Sequence, residues 1–129
     1  MKKLSIEERD LLLKDLCARL QYGVKCTTKS LWNGIYTIVG YKNNRFFLDC
    51  PIYDEGDDEW MIESIVPYLR PMSSMTGKEK AEYKRLCVNA AICNDYPQVD
   101  YLISNHFDYR GLIPMGLALP ATEDMYNIK

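Results

Sequence analysis

The apolar positions of this chain follow a helical period at first, then alternate, then return to a helical period. Ile6, Leu13, Leu16, Cys17 and Leu20 fall on one face at helical spacing and predict a first helix over about 6 to 21. Ser5-Ile6-Glu7-Glu8 has the S-x-x-E form of a capping box, Glu7, Glu8 and Asp10 suit the positive end of the helix dipole, and Gly23 is a natural stop. Val24 to Thr28 then alternates apolar with polar, the period of a half-buried strand.

The densest β-favouring stretch is Gly34 to Pro51, GIYTIVGYKNNRFFLDCP. Ile35 to Tyr41 mixes β-branched and aromatic residues, and Lys42-Asn43-Asn44 reads as a turn because Asn tolerates a left-handed backbone. Phe46 to Cys50 is expected to return antiparallel, with Pro51 ending the ladder because it has no N–H to donate. Met61 to Val66 is read as a short fourth strand. Pro67 to Met75 contains two prolines and reads as a connector held against the core.

Helical spacing resumes behind a second capping box, Thr76-Gly77-Lys78-Glu79. Tyr83, Leu86, Cys87 and Ala90 share a face, and Asn94 is the expected stop of a helix over about 77 to 93. Pro97 suits the first turn of another helix carrying Val99, Leu102, Ile103 and His106 on one side. Asp108 is placed to cap a last short helix through Leu112 and Met115, shortened by Pro114, and the segment from Pro120 is expected to be irregular. Segregated strand and helix patterns predict an α+β fold: an N-terminal helix, a small antiparallel sheet of three or four strands, and two to three C-terminal helices. With no repeat and no composition break, residues 1–129 read as a single domain.

Composition narrows the function classes. The apolar fraction of 47% and charged fraction of 26% are those of an ordinary globular protein, and no apolar run reaches the ~20 residues of a membrane span. The opening MKKLSIEERD lacks the apolar stretch of a signal peptide, so a cytoplasmic location is expected. Five cysteines without a CxxC and a single histidine provide no zinc spacing, so buried free thiols and no metal or cofactor are expected.

Charge is uneven: Asp54, Glu55, Asp57, Asp58 and Glu59 place five of the 18 acids in one loop, leaving 13 acids against 16 bases elsewhere. The order of ligands in an EF-hand is absent from that loop, which reads as solvated. A dispersed basic excess and a pI of 5.4 argue against a nucleic-acid partner.

Three sets of residues are candidates for chemistry. His106 and Asp108 are the raw material of a general base, but no nucleophile is tied to them in sequence, although Ser73, Ser74 or a cysteine could meet them in space. Arg70, Thr76 and Lys78 surround a helix start, where an anion could bind, although the Walker pattern is missing. Ten tyrosines and two tryptophans are more than a small core needs, which makes Trp32, Tyr53, Trp60, Tyr68 and Tyr109 candidates for a partner-binding surface.

Leu20-Gln21-Tyr22-Gly23-Val24-Lys25-Cys26, Val66 to Thr76 (VPYLRPMSSMT), Asp100-Tyr101-Leu102 and Asn105 to Ile113 (NHFDYRGLI) together resemble a group of small proteins encoded in gut Bacteroides genomes and in their phages and prophages. The likeness spans roughly residues 10 to 119 and implies a phage or mobile-element setting, with no activity attached. The resulting expectation is a non-enzymatic interaction protein that binds a host protein or a copy of itself through aromatic residues. The alternatives are a small-ligand or nucleotide binder using the helix start near Arg70 and Lys78, and a nucleic-acid-associated protein.

Overall fold

Two asparagines set the central hairpin. In the computed structural model, which describes residues 4–29, 34–49, 59–93, 97–122 and 125–126, Asn43 (φ 53°) and Asn44 (φ 62°) both take the left-handed backbone of a type I′ turn. They join β2 (Tyr36–Lys42) to β3 (Arg45–Asp49), with Lys42 opposite Arg45, and a bulge between Ile38 and Gly40 shifts the register. The expected strand end at Cys50-Pro51, the acidic run Asp54 to Asp58, the helix stop at Asn94, and Trp32 and Tyr53 lie outside the described residues.

The sheet is larger than expected, with strand order β4-β3-β2-β1-β5-β6. The other strands are β1 (Lys25–Thr28), β4 (Glu59–Trp60), β5 (Ile65–Leu69) and β6 (Leu119–Pro120). Five strands run antiparallel to their neighbours, while β6 adds two residues parallel to β5, so the sheet is mixed. The expected fourth strand at Met61 to Val66 is split by a 3-10 turn at Ile62–Ser64, and the strand proper continues through Pro67 to Leu69.

Pro67 is tolerated in β5 for a geometric reason. Lys29 donates to the Ser64 carbonyl, which makes Val66 the hydrogen-bonded partner of Thr27 and turns Pro67 away from β1. Its missing N–H faces the other side, where β6 begins only opposite Tyr68. The first three residues of the predicted connector, Pro67 to Leu69, are therefore strand, while Met72–Ser74 further along form a 3-10 turn.

The first helix, α1 (Ile6–Arg19), ends in a 3-10 turn at Leu20–Tyr22 and stops at Gly23 (φ 68°). Both halves of its capping box form, Glu8 N–H to Ser5 Oγ at 3.1 Å and Ser5 N–H to Glu8 Oε1 at 3.0 Å. Its buried stripe is rotated from the expected one: Leu12, Asp15, Leu16 and Arg19 are buried, Leu13 and Leu20 are half-buried, and Ile6 and Cys17 are exposed. An internal ion pair occupies two positions that apolar counting assigns to solvent. Cys17 is thus not the buried thiol expected, whereas Cys26 is, and burial pushes its thiol up to about 12.

Leu12 and Leu16 pack on alternate residues of the strands, Cys26, Tyr36, Ile38, Phe46, Leu48, Ile65 and Leu69. Phe46 is fully buried, so Phe46→Ala is expected to destabilise by about 3–5 kcal/mol.

A second apolar cluster joins Met75, Leu102 and Phe107, flanked by Tyr83, Tyr101 and Tyr109. It lies between α2 (Gly77–Cys93), at its predicted bounds, and α3 (Pro97–Ser104), which starts at Pro97 as expected but ends before His106, expected on its face. The further helix expected after Asp108 does not form. The Asp108 carboxylate accepts from the N–H groups of Leu112 (2.7 Å) and Ile113 (2.9 Å), but Gly111 (φ 77°) and Gly116 (φ 78°) leave the helical region, and Pro114 has no N–H to continue a ladder. A run of turns results, closed by Leu117 N–H to the Leu112 carbonyl at 2.9 Å. Beyond it the segment is not irregular throughout: β6 pairs with β5, and Ala121 N–H reaches the Leu69 carbonyl at 2.8 Å.

Candidate functional site

The end of α3 decides the site. Phe107 N–H bonds the Leu102 carbonyl (2.8 Å) and His106 N–H bonds the Ile103 carbonyl (3.0 Å), the two bonds of a Schellman termination. In that motif the left-handed position is usually glycine, but here it is His106, at φ 62°. The imidazole is only 5% exposed and stacks on Tyr126, with ring centroids 4.0 Å apart and planes 20° apart.

His106 Nδ1 has no hydrogen-bond partner among the described residues. Burial, then the charge of Arg19, lower the pKa to about 4, with the Tyr22 backbone pulling weakly the other way, so the ring is neutral at pH 7. His106 does not pair with Asp108, whose carboxylate is committed to the Leu112 and Ile113 amides. The general-base pair considered from sequence is not assembled.

Arg70 follows β5 and is tied to the same loop through its backbone. Its N–H donates to the His106 carbonyl at 2.8 Å, and its carbonyl accepts from Asp108 N–H at 2.9 Å. The guanidinium forms a two-pronged pair with Glu79, Nη1 to Oε2 at 2.8 Å and Nη2 to Oε1 at 2.7 Å, and lies 4.1 Å over the Phe107 ring. Nη1 also reaches the Asn105 carbonyl at 3.4 Å, while Nε has no partner among the described residues.

Glu79 closes the predicted capping box as well, accepting Thr76 N–H at 2.9 Å while its own N–H bonds Thr76 Oγ1 at 3.1 Å. The Arg70 hydrogen bonds, opposed by burial, hold its carboxyl below the usual range. The expected anion at this helix start is therefore the chain's own Glu79 carboxylate. It neutralises Arg70 and engages Thr76, and only Arg70 and Lys78 of that predicted trio face the neighbouring cleft.

That cleft encloses about 890 Å³. One wall is a stripe of α2, Lys78, Ala81, Glu82 and Arg85, whose spacing of three, one and three keeps them on one helix face. Tyr101, Ser104 and Asn105 of α3 face it, with Tyr22 and Lys25 from the turn and strand after α1. Met125 and Tyr126 supply the last side. The Tyr126 hydroxyl is pinned, accepting from Lys25 N–H at 2.7 Å and donating to the Tyr68 carbonyl at 2.6 Å, and burial pushes its pKa up.

The aromatic candidates are not brought together. Trp60 is half-buried on the main core at the β4 edge, and its indole N–H has no partner among the described residues. Tyr68 lies on β5, separated from β4 by three intervening strands, and Tyr109 packs on the second cluster with the Arg110 guanidinium 4.7 Å over its ring. Tyr22, Lys25, Arg85, Tyr101 and Tyr126 were not singled out from sequence. The polar stripe of α2 is legible in hindsight as spacing; nothing local marks Tyr126.

No family model, curated protein or solved structure matches the chain. Among the described residues no group of His, Cys, Asp or Glu could hold a metal ion, and no helix is long and apolar enough to cross a membrane.

Proposed function

We propose that this chain is a small-molecule-binding protein whose site is the cleft between α2, α3 and the segment carrying Tyr126. The observation that carries this reading is His106. A side chain in the left-handed position of a helix end costs roughly 1 kcal/mol relative to glycine, and burying a polar atom without a partner costs about 1–3 kcal/mol more. Both penalties fall on one residue that lines the cleft, the position from which a ligand could draw compensation for them. Backbone strain and unmet hydrogen bonding together are characteristic of functional positions.

The test is a fragment screen by two-dimensional NMR on the full chain. Hits are expected to shift Lys78, Arg85, Tyr101 and His106 together. Hits confined to the open sheet surface around Val39, which is 63% exposed, would contradict the reading and favour a surface interaction instead.

A further inference from the structure

We infer that the ligand of this cleft is a planar heteroaromatic ring carrying an anionic group, of about the size of a mononucleotide; the inference rests on the cleft being a binding site.

Four observations converge on that class. The first is charge: among the described residues, Lys25, Arg70, Lys78 and Arg85 line the cleft against Glu79 and Glu82. Arg70 is consumed by Glu79 and Arg85 by Glu82, which leaves Lys78, and Lys25 whose Nζ reaches the Thr37 hydroxyl at 3.5 Å, without a carboxylate partner among the described residues. The neutral imidazole of His106 supplies no negative charge to offset them. A ligand anion would.

The second is the character of the walls. Tyr22, Tyr101 and the stacked pair of His106 and Tyr126 place four rings around the space, and Tyr22 is still 38% exposed. Such rings favour a flat, polarisable body over an aliphatic one. The third is size, since about 890 Å³ far exceeds a bare phosphate and falls within the range of pockets for drug-sized ligands. The fourth is a pair of enclosed nitrogens with no partner among the described residues, His106 Nδ1 and Arg70 Nε, on residues that line the cleft; their unmet hydrogen bonds suit ring heteroatoms or exocyclic groups.

Each part of the ligand is therefore required by something different. A neutral nucleoside would leave the two lysines uncompensated, and a free phosphate would leave the rings and both nitrogens unused. The unmatched buried nitrogens discriminate most strongly in such a site, and the exposed Lys78 and half-buried Lys25 add the preference for an anion.

The test is isothermal titration calorimetry of the full chain with AMP, UMP, adenosine, uridine and inorganic phosphate. At least one mononucleotide is expected to bind about tenfold or more tighter than its nucleoside and than phosphate, the scale of one charge-assisted hydrogen bond. Lys78→Ala is expected to remove that advantage while leaving nucleoside binding unchanged. Lys80→Ala, exposed on the same helix and outside the cleft lining, is the control expected to do nothing. Both positions are on the surface, so each variant should keep the helical circular dichroism of the parent.

Phosphate binding as tightly as AMP and UMP would overturn the requirement for a ring, and a nucleoside binding as tightly would overturn the requirement for an anion. No binding of any mononucleotide would overturn the ligand class. In each of these cases fragment hits at His106 would still uphold the cleft itself, so the two readings fail separately.

Discussion

The chain buries two arginines, each paired with a carboxylate, and both grip the same loop at the end of α3. Arg19 is fully buried and has every guanidinium nitrogen engaged. Nε and Nη2 bond Asp15 at 2.9 and 3.2 Å, Nη1 reaches the Ile103 carbonyl at 3.4 Å, and Nη2 also donates to the Phe107 carbonyl. Arg110 Nε adds a further bond to Asp15 at 3.1 Å. Arg70 makes the same forked pair with Glu79 but leaves Nε unbonded, and it lines the cleft where Arg19 does not. The chemistry is alike and the satisfaction is not. A buried charge pair with all its hydrogen bonds made holds elements together; one left incomplete beside an open space is available to something else.

The sharpest way to break this comparison is to remove the closed clamp. Arg19→Ala leaves Asp15 buried with Arg110 as its remaining cation among the described residues and takes one of two donors from each of the Ile103 and Phe107 carbonyls, so a loss of about 3–5 kcal/mol is expected in urea unfolding. A loss under about 1 kcal/mol would mean that the pair is not what fastens α1 to the α3 loop.

Acid should act on the open side next. The His106 pKa lies at about 4 in the folded chain against an ordinary 6.5, so between those values the unfolded chain binds more protons and stability rises with pH. The contribution is complete above pH 6.5 and is lost on acidification toward pH 4, by about 3 kcal/mol. Glu79, with its pKa lowered, adds a loss of the same sign, but only at pH values below the usual carboxylate range. Unfolding free energies measured at intervals from pH 7 to 4 should therefore fall in the parent and stay nearly level in His106→Asn, since Asn also tolerates the left-handed backbone.

These effects separate what was legible in the sequence from what was not. Both capping boxes, the Asn43-Asn44 turn and the start of α3 at Pro97 depend on neighbours in the chain, and local spacing found them. The buried face of α1 was missed because Asp15 and Arg19 look like solvent residues until their partners, more than eighty positions away, are known. Pro67 as a strand residue, the parallel β6 and the pinned Tyr126 likewise depend on long-range pairing. The anion site was half legible: Arg70, Thr76 and Lys78 mark the right neighbourhood, but the anion there is Glu79, whose spacing from Thr76 signals a cap and carries no sign of its pairing with Arg70.

Smaller effects sharpen the contrast between the two arginines. Glu79→Gln keeps a hydrogen-bonding group at the cap but strips the countercharge from Arg70, so a loss of about 1–3 kcal/mol in thermal or urea unfolding is expected, below that of Arg19→Ala. Smallest of all, Lys78→Ala should leave stability within about 0.5 kcal/mol of the parent in the same assay, because its side chain is exposed at the cleft rim.

The most direct measurement uses the fact that the chain has a single histidine, so one imidazole spectrum reports on one place. Long-range proton–nitrogen NMR of that ring, followed through pH and then through addition of AMP or UMP, reads both burial and availability. The account predicts a titration midpoint near 4 and an Nδ1 signal that moves as nucleotide is added. A midpoint near 6.5 with an Nδ1 signal unmoved by either nucleotide would mean that His106 is an ordinary solvated side chain and that the wall holding it is not a binding site.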